Sequence, residues 1–148
     1  MRSTLPNGTE RNGELMTVFD LSENEGVWFE MEGGGRVQLR IPGFRDWQRI
    51  RKATVRKEPF VYEQKEKPPI LMEREITDED GQLEMIWDVS IVSWEKLFDA
   101  NENPMPCNKD MKIFLLTMED PTFRDYYNEK IKFLTEAKAA QKEQAEKN

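Results

Sequence analysis

Asp99, Asn101 and Asn103 recur at alternate positions, the spacing at which a calcium loop presents side-chain oxygens. Such a loop needs glycine at its sixth place and a bidentate glutamate at its twelfth. Here those places hold Pro104 and Asp110, so a solvent-facing turn is the expectation. Gly33, Gly34 and Gly35 are consecutive, but no Gly-Lys-Ser/Thr follows, and they do not read as a phosphate loop. Arg45, Arg49, Arg51, Lys52, Arg56 and Lys57 cluster around Trp47, the mixture of cations and aromatic ring that a nucleic-acid interface uses. The chain has no histidine and one cysteine, Cys107. Imidazole-dependent serine and cysteine catalysis, Cys/His zinc sites and an internal disulfide therefore lack their reactants. Carboxylate-based catalysis is not excluded, but nothing in the sequence points to it. We expect a binding or assembly protein with no enzymatic activity, catalytic residue, metal or cofactor.

The 148 residues fit one ordinary domain, and a composition of 37% hydrophobic and 34% charged residues implies a modest core with polar ends. The net charge of −7 is unevenly spread: residues 1–35 sum to −5, residues 36–67 to +6 and residues 68–148 to −8. In so acidic a chain the basic middle reads as a neutraliser of acidic parts, in its own fold or in a neighbouring copy, in preference to a nucleic-acid footprint. No apolar run approaches the ~20 residues of a membrane helix. The first eight residues show no apolar signal-peptide segment. A cytoplasmic protein without membrane contact is expected.

The pattern of elements predicts an α+β fold, an N-terminal antiparallel β-hairpin or small sheet followed by a C-terminal helical bundle. Residues 1–16 read as a flexible terminus, 17–140 as a single domain and 141–148 as a charged, helical or frayed tail. Val27–Glu32 and Arg36–Ile41 alternate in polarity around the glycines and predict a hairpin. Pairing Glu32 with Arg36 sets Phe29 opposite Leu39. Helices are expected near 44–54, 78–97, 109–118 and 121–140, with no strand after residue 80. Phe60–Tyr62 and Ile70–Met72, set among Pro59, Pro68 and Pro69, predict short edge strands. Trp87 and Trp94, seven apart on the second helix, share a face and join Phe29 and Leu39 as expected core residues.

Two stretches carry a likeness to a known family. The first is Phe19-Asp20, Gly26-Val27-Trp28-Phe29, the glycine turn and Val37-Gln38-Leu39-Arg40, leading into a basic helix. The second is Ile86-Trp87-Asp88, Ile91 through Leu97, then Asp99 through Pro104-Met105-Pro106-Cys107. Over about residues 18–136 the chain resembles the tail assembly chaperones of long-tailed phages and prophages. One departure is Glu102, where such sequences often carry glycine. The resemblance implies a chaperone of the bacterial host cytoplasm that keeps the tape measure protein soluble and helps the tail tube protein polymerise around it, with self-association as a further partner. Apolar grooves that accept many helices suit methionine. Met85, Met111 and Met118 are the groove candidates, with simple core filling as the competing reading. Arg45, Arg49 and Trp47 are the other partner-binding candidates. Two alternatives stand beside this: a nucleic-acid-binding module using a basic helix over 44–57, and a structural tail or head-completion protein. Family members are often made in two lengths by a −1 ribosomal slip, and Lys147-Asn148 can be encoded as the slippery A AAA AAC.

Overall fold

Val27 and Phe29 alternate with Trp28 and Glu30, and Val37 and Leu39 with Arg36 and Gln38; a period of two puts the apolar members on one face of a sheet. In the computed structural model, which describes residues 9–11, 14–16 and 25–147, these stretches are β3 (Val27–Glu30) and β4 (Arg36–Leu39). Before them, β1 (Thr9–Arg11) and β2 (Glu14–Met16) pair antiparallel within the segment read as a flexible terminus. Residues 12–13 between them and the Phe19-Asp20 motif lie outside the described residues.

The β3–β4 register corrects the expected one by two residues. Phe29 faces Val37, Val27 faces Leu39 and Glu30 faces Arg36. The turn is Glu32-Gly33-Gly34, closed by Met31 N–H to the Gly35 carbonyl at 2.7 Å and Gly34 N–H to the Met31 carbonyl at 3.2 Å. Gly33 and Gly34 both take positive φ, 97° and 94°, which glycine adopts without a Cβ clash. An even shift preserves side-chain parity, so the apolar face survives intact.

The larger correction concerns residues 78–97. A helix, α2, runs over Glu79–Ser90 and stops; Ile91–Glu95 is a strand, β7, paired antiparallel with the second edge of β4. Ser90 Oγ turns back to the Ile86 carbonyl at 2.8 Å, and Arg40 N–H donates to the Ser90 carbonyl at 2.9 Å. The β-branched Ile91 and Val92 then favour extended backbone, and β4 offers an unpaired row of donors and acceptors. Val37 faces Trp94 and Leu39 faces Ile91, with a bulge at Val92. Trp87 and Trp94 therefore sit on different elements, though both reach the same core.

The sheet order β3-β4-β7 presents Val37, Leu39, Ile91 and Trp94 to two C-terminal helices, α3 (Lys109–Thr117) and α4 (Thr122–Lys147). Leu115, Leu116, Phe123 and Tyr127 complete the buried cluster, with Phe29 packed against its margin. Each such side chain contributes roughly 1.5–3 kcal/mol on burial. Phe123 meets Trp94 edge-on at 6.1 Å, and Phe133 meets Phe29 in the same way at 6.1 Å, so α4 lies across the sheet. Polar groups at this seam are paired. Trp94 Nε1–H donates to the Met105 carbonyl at 2.8 Å, and Ser90 Oγ lies 2.6 Å from the Tyr127 hydroxyl. Lys112, 7% exposed, donates from Nζ to the Asp88 carbonyl and carboxylate at 2.9 and 3.0 Å, tying α3 to α2. Asn108 and Asp78 cap α3 and α2 by accepting from Met111 N–H and Gly81 N–H. Over the described residues the chain is an α+β protein with small antiparallel sheets and four helices.

Candidate functional site

Between β4 and α2 the chain leaves the core and returns. Helix α1 (Phe44–Thr54) begins after Pro42-Gly43 and has the bounds its period predicts. Asp46 fastens its start: its carboxylate accepts from Gly43 N–H at 2.8 Å and takes both amino groups of Arg40, at 2.9 and 3.3 Å. The Arg40 hydrogen bond holds the Asp46 carboxyl below its ordinary pKa, against the opposing effect of partial burial. Ile50 and Thr54 are buried, but Phe44, which shares their three- and four-residue spacing with Trp47, is 77% exposed, and Trp47 is 40% exposed. The helix stops at Thr54, whose Oγ1 donates back to the Ile50 carbonyl at 2.7 Å. A basic helix over 44–57 is thus not formed; Arg56 and Lys57 belong to the strand that follows.

That strand, β5 (Val55–Gln64), and β6 (Lys67–Thr77) form a two-stranded ribbon. The expected pieces at 60–62 and 70–72 are its distal part, Phe60 facing Met72, Val61 facing Leu71 and Tyr62 facing Ile70. The ribbon is far longer than either piece suggested. Its ladder starts with Asp78 N–H to the Thr54 carbonyl at 2.7 Å, so even-numbered pairs turn their backbone groups inward and odd-numbered ones outward. Pro59 falls on an outward position, where a missing N–H breaks no bond. Pro68 and Pro69 fall beside the irregularity between Tyr62 and Gln64.

Three consecutive apolar residues on each strand put apolar side chains on both ribbon faces. Tyr62, Ile70 and Met72 share one face with Phe60, over which Arg74 stacks at 5.1 Å while also pairing with Glu58 at 3.3 Å. Val61 and Leu71 share the other; Leu71 is 75% exposed. An isolated two-stranded ribbon is marginal in water, and unpaired edges invite a further strand. The ribbon is accordingly the most prominent unsatisfied surface among the described residues.

The methionine candidates divide. Met111 on α3 and Met118 at its C-cap pack against the buried cluster, as core filling requires, and Met85 lies on α2 outside that cluster. Phe114, on the same helix as Met111, is 59% exposed. Arg45 and Arg49 line an open hollow of about 620 Å³ on α1 with Gln48, Arg51 and Lys52. Burial raises the thiol pKa of Cys107, which suppresses the reactive thiolate. The Asp99 loop folds around its own first residue: Asp99 Oδ1 accepts from Asn101 and Asn103 N–H at 2.8 and 3.0 Å. Among the described residues no group of three or more His, Cys, Asp or Glu is placed to hold a metal ion, and no helix is long and apolar enough to cross a membrane.

No protein-family model, curated protein or solved structure matches this chain. The ribbon residues carry a sequence signal, since apolar triplets flanked by charge and proline cannot bury both faces in two strands. Phe44 carries none, because its spacing is that of the buried residues.

Proposed function

We propose that this chain is a non-enzymatic assembly chaperone of a phage tail module, acting in the bacterial host cytoplasm. It holds the tape measure protein soluble and hands it to the polymerising tail tube protein. The observation that carries this reading is the ribbon, with apolar residues exposed on both faces and free backbone edges. Such a surface suits a client that offers many apolar segments, because a strand edge bonds to main chain of any sequence and Met72 and Leu71 adapt to varied shapes. The resemblance over residues 18–136 supports the same reading from independent residues, mostly in β3, β4, α2 and β7.

The test is co-expression with the tape measure protein of the same tail module. Soluble tape measure protein that co-purifies with the chain is the expected result. A tape measure protein that stays as insoluble as when expressed alone overturns the reading.

A further inference from the structure

Resting on the reading of the ribbon as the client surface, we propose that only one of its two edges receives the client. That edge is β6 from Leu71 to Glu75, and it takes up an extended segment with lysine or arginine at alternate positions as a third strand. The ladder decides which edge is open. Asp78 N–H bonds to the Thr54 carbonyl, so the odd-numbered residues of both strands turn N–H and C=O away from the pair. On β5 these include Lys57, Pro59 and Val61, and Pro59 has no N–H to donate. On β6 they are Leu71, Glu73 and Glu75, a row that no proline interrupts; Pro69 ends it beyond Leu71. Residues 70–75 are all exposed, and among the described residues β6 pairs with no strand but β5.

A strand that adds to β6 lays its side chains beside those of β6, alternately on the two faces. On one face it meets Leu71, Glu73 and Glu75. Glu73 stands opposite Pro59, which carries no charge, and Lys57 faces Glu75 across the ladder. Among the described residues neither carboxylate enters an ion pair. On the other face the strand meets Ile70, Met72 and Arg74, and Arg74 is already held by Glu58 and the Phe60 ring. The matching antiparallel segment therefore sets lysine or arginine opposite Glu75 and Glu73, with apolar residues between them and opposite Leu71. Main-chain bonds hold such a segment, and the two carboxylates choose among segments. A second copy of this chain fits poorly, since two β6 edges brought together antiparallel about Glu73 set carboxylate against carboxylate. A nucleic-acid backbone meets the same repulsion.

Fluorescence anisotropy of a labelled octapeptide, Thr-Lys-Val-Lys-Val-Val-Ile-Thr, titrated with the full chain tests the edge. Saturable binding is expected, about tenfold weaker when both lysines become glutamate, because two opposite-charge pairs turn into two like-charge ones. Sodium chloride weakens the binding of the lysine peptide, since the pairs are exposed. Glu73→Arg with Glu75→Arg reverses the preference between the two peptides. Glu73→Pro removes one outward N–H without touching the ladder, as Pro59 does on β5, and abolishes binding. Circular dichroism checks that each variant folds; should the proline variant not fold, the charge exchange decides. No binding, equal binding of the two peptides, or full binding by folded Glu73→Pro overturns the proposal. A parent chain that sediments as a dimer, with Glu73→Pro a monomer, overturns it in favour of a second copy. A chain that solubilises the tape measure protein yet ignores both peptides overturns the edge proposal and leaves the chaperone role standing. One that binds the lysine peptide selectively and leaves the tape measure protein insoluble upholds the edge and overturns the role.

Discussion

Asp46 joins three chain segments through one carboxylate: the end of β4 by Arg40, the start of α1 by the Gly43 N–H, and the exposed basic face by Arg49. Hydrogen bonds to charged groups contribute more than neutral ones, so Asp46→Asn is expected to cost about 2 kcal/mol at neutral pH. The pH dependence follows from the direction of its shift. Its folded pKa lies below the ordinary 3.8, so its contribution is complete above that value and is lost as the pH falls through the folded pKa. Urea denaturation of both proteins at pH 7 and pH 3 checks this; the gap between them must narrow at pH 3. Glu102 is the second informative residue. It holds φ at 63° in the Asp99 loop, a left-handed conformation that glycine adopts without strain. A left-handed non-glycine residue costs roughly 1–2 kcal/mol, partly offset by the greater unfolded-state freedom of glycine. Glu102→Gly is expected to raise the melting temperature, by up to about 1 kcal/mol of stability; a lower one contradicts this view of the turn.

Local elements were legible where a period ran uninterrupted and a cap marked the end. Helix α1 was readable in full, and α3 and α4 began within a residue of their expected starts, because Asn108 and Asp120-Pro121 are local signals. The second helix was overextended for a physical reason. Ile86, Trp87, Ser90, Ile91 and Trp94 continue a helical stripe, and only the vacant edge of β4, seen in three dimensions, converts the last part into β7. The two tryptophans now separate in energy as well as position. Trp94 is buried, meets Phe123 and donates to Met105; Trp87 is half-buried at the margin. Trp94→Ala should cost about 3–5 kcal/mol, the range for a buried aromatic, and Trp87→Ala clearly less. Equal losses in chemical denaturation, or none for Trp94, contradict the placement of β7.

At the scale of the whole molecule, the chain divides its residues between a small core and a projecting ribbon. The core gathers residues from β4 to α4, while the ribbon's apolar side chains contribute little to it. The basic candidates Arg45, Arg49 and Trp47 lie on the helix that their period predicts, and the ribbon's apolar triplets are strands, as their composition predicts. That the triplets pair with each other away from the core is not legible in the sequence, because pairing partners are a tertiary fact. The direct measurement is a ribbon exchange: residues 59–73 replaced by an Asn-Gly turn that joins Glu58 to Arg74, partners in the present ladder. The shortened chain should melt within about 1 kcal/mol of the parent, since the removed segment is largely exposed. Co-expressed with the tape measure protein, it should leave that protein in the insoluble fraction, while the full-length chain keeps it soluble. A shortened chain that folds and still solubilises the tape measure protein as well as the parent contradicts the account.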